Sequence, residues 1–124
     1  MSQDIVADCL NQIMNAKIAG RQEIEVTRIS KLLVNVLEIM KKYGYIDFKE
    51  GKGKIVIKIK EELSECRAIK PRYNVKKEEV EKYIRRFLPA RNLGILIIST
   101  NKGLVTQEES EDKGTGGSLI AYVF

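Results

Sequence analysis

Apolar residues recur along this chain with two different periods, and each switch of period marks an element. Between Asp4 and Lys17, Ile5, Val6, Cys9, Leu10, Ile13 and Met14 form two adjacent i, i+4 rows, while Asp8, Asn11, Gln12 and Asn15 face away. That spacing predicts an amphipathic helix with Asp4 as its N-cap. Glu23–Thr27 alternates like a short strand. Leu32, Leu33, Val36, Leu37, Met40 and Tyr43 return to the helical period, with Ser30 placed to cap and Gly44 to stop. Tyr45–Lys49 and Lys54–Lys60 then read as a hairpin joined by Glu50-Gly51-Lys52-Gly53. Its second strand puts Ile55, Ile57 and Ile59 on one face and Lys54, Val56, Lys58 and Lys60 on the other. Lysines on an outer sheet face protect it from edge pairing, and that reading is preferred here to contact with phosphates.

Glu61-Glu62-Leu63-Ser64 is a polar break, and it divides the chain into an N-terminal α/β lobe, 1–62, and a mainly β lobe, 63–124. The second lobe opens with a strand, Cys66–Lys70, closed by Pro71. Lys77–Leu88 is a third amphipathic helix, with Val80, Tyr83, Ile84, Phe87 and Leu88 on its buried stripe and the pairs Glu78–Lys82 and Glu81–Arg85 outside. Gly94-Ile95-Leu96-Ile97-Ile98 is an unbroken apolar run, the pattern of a strand buried on both faces. A short strand, Leu104-Val105, follows; Thr106-Gln107-Glu108-Glu109 reads as a capping box opening a brief acidic helix that stops at Gly114; and Leu119–Val123 closes the chain as a strand. The fold class is therefore α+β. Two small lobes pack together, the first with two helices and a three-stranded sheet, the second mostly β with short helices.

The polar residues at the ends of these elements are the candidates for chemistry. The buried strand runs directly into Ser99-Thr100-Asn101-Lys102-Gly103, which offers two hydroxyls, an amide and an ammonium on a stiff support. The competing reading is an ordinary turn, since Asn, Lys and Gly punctuate most loops. Ser30-Lys31, at a helix start, could meet a phosphate through free backbone N–H groups. Lys70-Pro71-Arg72-Tyr73 sets two cations beside a ring, a combination suited to unstacked bases and phosphates. Gly114-Thr115-Gly116-Gly117 implies unusual backbone conformations or a close approach by another backbone. It is neither a Walker loop nor a dinucleotide fingerprint, because no Lys-Ser/Thr ending is present and a strand follows. A phosphate cradle for a small ligand is the alternative use of that loop.

Composition narrows the classes. The 124 residues contain no histidine and only two cysteines, Cys9 and Cys66. Zinc-finger spacing, Ser-His and Cys-His pairs and histidine base catalysis are all excluded, and neither a metal nor a cofactor is expected. No apolar stretch approaches the ~20 residues of a membrane span and the start of the chain lacks a basic leader, so a cytoplasmic setting is expected. Lys plus Arg number 22 against 17 Asp plus Glu, a net charge of +5, mildly favouring a polyanionic partner.

Several motifs, taken in collinear order, resemble small-subunit ribosomal protein eight in its archaeal and eukaryotic form. They are Asp4-x-x-Ala7-Asp8-x-Leu10-x-x-Ile13-x-Asn15-Ala16, Ser30-Lys31-Leu32, Tyr43-Gly44-Tyr45-Ile46 and Ala68-Ile69-Lys70-Pro71-Arg72-Tyr73 in the first two thirds. Leu88-Pro89-Ala90-Arg91, Gly94 to Thr100, Lys102-Gly103 and Lys113-Gly114-x-Gly116-Gly117-x-Leu119 to Phe124 complete the match. The resemblance implies a non-enzymatic RNA-binding protein that holds a helix of the central domain of small-subunit ribosomal RNA and supports its assembly. It also implies contacts with neighbouring ribosomal proteins, ribosomal protein five among them. Carried onto matching positions, it nominates Ser99, Thr100, Lys102 and Gly103 as the central site, with Asn101, where the bacterial pattern has Ser, included as part of the same turn, and Thr115, Gly116 and Gly117 beside them so that the RNA backbone can approach. Asn15, Ser30 and Lys31 are the matching candidates in the first lobe, and Lys70 and Arg72 lie in the matching middle segment.

Overall fold

The helical and strand periods resolve into four α-helices and eight strands in a computed structural model that describes residues 4–70, 72–90, 93–113 and 116–124. Two compact units divide between Cys66 and Arg67, a few residues beyond the Glu61–Ser64 break.

The first unit contains α1 (Ile5–Ile18), β1 (Glu23–Val26), α2 (Lys31–Lys42), β2 (Ile46–Gly51) and β3 (Lys54–Ile59). Its antiparallel sheet has the order β1-β3-β2. The strand richest in isoleucine therefore takes the centre, where both edges are paired. Asp4 Oδ1 accepts from Ala7 N at 3.1 Å, and Ser30 Oγ from Leu33 N at 3.1 Å, so both expected caps form. Leu10, Ile13, Leu33, Leu37 and Met40 are fully buried, as are Ile46, Ile55 and Ile57 from the sheet. Each such side chain contributes roughly 1.5–3 kcal/mol of transfer free energy. Cys9 and Cys66 are both free thiols and both buried; burial alone pushes the Cys9 thiol up to about 12. They are small core residues, as expected. One boundary differs. β2 runs on to Gly51 and pairs it with Lys54, leaving Lys52-Gly53 as a two-residue turn instead of the four-residue loop Glu50–Gly53.

After β4 (Cys66–Ala68), whose first residue ends the first unit, the second unit continues with β5 (Asn74–Val75), a single 3₁₀ turn at Lys77–Glu79, α3 (Val80–Phe87), β6 (Ile95–Thr100), β7 (Gly103–Thr106), α4 (Gln107–Lys113) and β8 (Gly117–Val123). The helix expected over Lys77–Leu88 thus begins with a tighter turn, in which Glu79 Oε1 accepts from Lys76 N at 3.1 Å. The sheet runs β4-β8-β6-β7, with β5 also pairing β8. β6 is central and Ile95, Leu96, Ile97 and Ile98 are all at most 3% exposed, which is what an apolar run without alternation demands. Leu96, Ile98, Leu119 and Val105 pack with Val80, Tyr83 and Ile84 of α3 and with Leu88, which follows it. A bulge opposite Ile97 and Ile98 shifts the register between β6 and β8. Gln107, 5% exposed, bridges the start of β6: its Oε1 accepts from Leu96 N at 2.8 Å and its Nε2 donates to Gly94 O at 3.1 Å.

Candidate nucleic-acid interface

The polar end of β6 is a strand end and not a five-residue loop. Ser99 pairs with Leu104 and Thr100 with Gly103, so the turn itself is only Asn101-Lys102. The reason is the backbone. Asn101 and Lys102 keep negative φ, while Gly103 takes φ +114° and lets the chain re-enter the sheet at once.

This geometry separates two hydroxyls that look equivalent in the sequence. Thr100 Oγ1 donates to Gly103 O at 2.8 Å and accepts from Lys102 N at 3.1 Å. It ties the turn to the strand and has only an acceptor lone pair to spare. Ser99 is half-buried, and its hydroxyl has no hydrogen-bond partner among the described residues. Asn101 and Lys102 are exposed at the tip, and the Lys102 ammonium has no ion pair among the described residues.

Beside Ser99 the sheet adds two residues that the sequence did not single out. Register pairs Ser99 with Ser118 on β8, and Ser118 in turn with Asn74 on β5. Ser118 Oγ donates to Asn74 Oδ1 at 2.7 Å, which leaves the Asn74 amide hydrogens for another acceptor. Asn74, Ser118 and Ser99 therefore form a polar row across three strands that leads to the turn. β5 is two residues long and carries no periodic signal. Nothing in the chain short of the register brings Asn74 to this row.

Gly116 and Gly117 also lie here, and their role is internal. A Cβ on Gly116 would collide with the carbonyl oxygen of Val75 and lie 2.9 Å from Lys76 Cα. On Gly117 it would collide with the carbonyl oxygen of Ser99 and lie 2.9 Å from its carbonyl carbon. The close backbone approach anticipated for this segment is made by the protein's own strands β5 and β6. An open cradle for a phosphate or a small ligand does not fit that packing. Thr115 lies outside the described residues.

The remaining candidates are distributed. Lys70 and Arg72 are exposed in the link between β4 and β5, which is pinned to β8 by Ile69 N donating to Ile120 O and Leu119 N to Tyr73 O, both at 2.9 Å. In the first unit, exposed Lys31 opens α2 behind the Ser30 cap. Asn15, exposed on α1, lines a groove of about 510 Å³ with Gln12, Arg21, Glu23 and Glu25. The structure does not gather these three with the β6–β7 turn in one unit. The outer lysines of β3 have acidic neighbours: Lys58 sits between Glu23 and Asp47, and Lys54 Nζ lies 3.2 Å from Glu25 Oε1. Lys41, at 3.2 Å, holds the Asp47 carboxyl below its usual range, helped by a hydrogen bond from Phe48 N. Cross-strand compensation of this kind favours a protective role for those lysines.

The second unit thus ends a strand buried over Ile95–Ile98 in a short polar hairpin, an arrangement that can present polar groups to a partner. The model of the family described as Ribosomal protein S8 matches residues 4–124. The chain is 43% identical to small ribosomal subunit protein uS8 of Nanoarchaeum equitans and 40% identical to that of Archaeoglobus fulgidus, over the whole of each chain. It is 37% identical to small ribosomal subunit protein uS8A of Schizosaccharomyces pombe, covering 98% of both chains. The chain belongs to the ribosomal protein S8 family, a family of ribosomal proteins and not of enzymes.

Proposed function

We propose that this protein is a structural constituent of the small ribosomal subunit in the cytoplasm. In this reading it binds the central domain of small-subunit ribosomal RNA directly and supports its folding. Neighbouring ribosomal proteins, ribosomal protein five among them, are its protein partners. The observation that carries the RNA contact is the Ser99 hydroxyl: half-buried, unpartnered among the described residues, and fixed on β6 beside Ser118 and Asn74.

Physical chemistry supports that choice. A-form RNA conceals its major groove, so a protein meets the wide minor groove, the 2′-hydroxyls and irregular bases. A hydroxyl that can both donate and accept, held by a paired strand, suits a 2′-hydroxyl or a base edge. Lys102 at the tip adds attraction to phosphate without sequence preference. Asn101 and Gly103 complete the tip, and Lys70, Arg72, Asn15, Ser30 and Lys31 are flanking contacts in the same proposal. Gly116 and Gly117 support the row through packing against β5 and β6, and Thr115 belongs to the proposed contact by its place in the sequence alone.

Binding of the full chain to an RNA hairpin with an irregular internal loop tests the reading. Ser99→Ala is expected to weaken binding by about 1–3 kcal/mol, the cost of a lost hydrogen bond at a desolvated contact, while Lys58→Ala changes little. Equal losses from the two substitutions would remove Ser99 from the site.

A further inference from the structure

Five of the eight aromatic rings in the chain form one continuous ladder in the second unit. Tyr73 stacks with Tyr83 at 5.6 Å between centroids, Tyr83 with Phe87 at 6.3 Å, Phe87 with Tyr122 at 5.5 Å, and Tyr122 with Phe124 at 5.9 Å. Only Tyr83 is buried, and the other four are half-exposed along the margin of the core. Folding alone does not require this. Aromatic rings bring most of their stabilisation by full burial, and a row left half in water is characteristic of a surface kept for a partner.

Cations cover the ladder at the α3 end. The Arg86 guanidinium lies 5.5 Å from the Tyr73 ring centroid and 5.3 Å from that of Phe87, and Lys82 Nζ lies 5.8 Å from that of Tyr83. Neither Arg86 nor Lys82 has an ion pair among the described residues. Their neighbour Arg85 differs: it is exposed away from the rings and lies 3.9 Å from Glu81. The expected Glu78–Lys82 pair gives way to the ring contact. Helix α3 thus leaves uncompensated the two cations that touch the ladder. Across Arg67–Ala90 there are eight lysines and arginines against three glutamates, so the field around the ladder is positive.

We propose that the Arg86-capped ladder is a second RNA-contact surface that takes unpaired nucleotides, apart from the β6–β7 hairpin. Two ring contacts hold the guanidinium plane before any ligand arrives. Its outer face can stack on a base and its N–H edge can meet a phosphate, a combination open to arginine and closed to lysine. Half-exposed Tyr73 and Phe87 extend that platform for neighbouring bases, and the positive field draws in the strand. Tyr73 directly precedes Asn74 of the polar row, so a strand leaving the hairpin contact has a short path to the ladder. The inference rests on the reading of the chain as an RNA-binding protein.

The test uses the full chain and three RNA probes: a hairpin with an irregular internal loop, the same hairpin with unpaired extensions at both ends, and a single-stranded oligoadenylate at low salt. Affinity is read by fluorescence anisotropy and stacking by quenching of tyrosine emission, which no tryptophan obscures. Arg86→Gln is expected to weaken binding to the extended hairpin and to oligoadenylate about tenfold, leaving the plain hairpin within twofold. Ser99→Ala is expected to weaken both hairpins and spare oligoadenylate. Failure of the plain hairpin to bind would remove the hairpin reading alone, because the oligoadenylate arm reports on the ladder independently. No loss on Arg86→Gln with any probe, or an equal loss with all three, overturns the proposal. So does full affinity in Arg86→Lys, which would leave a patch of charge and no stacking surface. Retained RNA affinity in Arg86→Gln together with lost binding to a protein of the small subunit would make the ladder a protein surface and equally overturn it.

Discussion

At the scale of single residues, Ser99 and Thr100 show how much depends on hydrogen positions that a sequence does not carry. Both are hydroxyls at the end of a buried strand, and both look available. Thr100 closes the Asn101-Lys102 turn with one bond given and one received, whereas Ser99 has none among the described residues. Their substitutions should therefore fail in different ways. Thr100→Ala removes two partly exposed hydrogen bonds, about 1 kcal/mol of net stability together, and should lower the melting temperature by roughly 4 °C for a domain of this size. Ser99→Ala should melt with the parent protein and show its effect only when RNA is added. A thermal melt of each variant, with and without the hairpin, separates the structural hydroxyl from the binding one. If Ser99→Ala melts lower than Thr100→Ala, the assignment of roles is reversed.

At the scale of elements, the periods in the sequence locate the first three helices and most of the strands, because burial of one face or of both imposes them, while α4 is located by its capping-box pattern alone. They locate the joins less well. The ends of β2 and β6 extend beyond their apolar residues, since strand pairing continues as long as the turn geometry permits, and Gly53 and Gly103 permit it almost to the tip. β5 is unreadable because two residues hold no period, and with it the Asn74–Ser118 contact is lost to sequence reasoning. Gln107 is hidden for a similar reason. It reads as the second residue of a capping box, yet its side chain supplies a strand-like pair of hydrogen bonds to Leu96 and Gly94.

Helix starts are the elements where a structural and a binding role coincide most closely, and Ser30 is the instance. Its Oγ caps α2 by accepting from Leu33 N, so loss of RNA affinity in Ser30→Ala alone would be ambiguous. Ser30→Ala should cost about 1 kcal/mol of stability, read in denaturant as a lower midpoint with an unchanged slope. Ser30→Asp keeps a cap oxygen and places a negative charge at the positive end of the helix, so its stability should match or exceed the parent. That same charge repels phosphate. Parental stability with weakened RNA binding in Ser30→Asp would place the start of α2 at the RNA; parental values of both would leave Ser30 as a cap and nothing more.

For the whole molecule, the net charge of +5 conceals an unequal division. Residues 1–66 carry eleven lysines and arginines and ten acids, whereas residues 67–124 carry eleven against seven. Most of the excess lies in the unit that holds the turn and the ring ladder. In the first unit the lysines of β3 have acids opposite them on the sheet: Lys54 pairs with Glu25, and Lys58 lies in register between Glu23 and Asp47. Counterion release makes this division measurable, because the slope of log affinity against log salt counts the phosphates that cations neutralise. Lys102, without an ion pair among the described residues, should contribute to that count, and Lys102→Gln should reduce the slope by about one. Lys58, between Glu23 and Asp47, should contribute nothing, and Lys58→Gln should leave the slope as it is. A titration of hairpin binding from low to moderate salt, run on both variants, decides between two pictures of the protein. Equal reductions would spread the RNA footprint over the sheet of the first unit as a diffuse basic surface. A reduction confined to Lys102 would concentrate it at the β6–β7 turn, where a rigid strand, an unpartnered hydroxyl and an unpaired ammonium coincide.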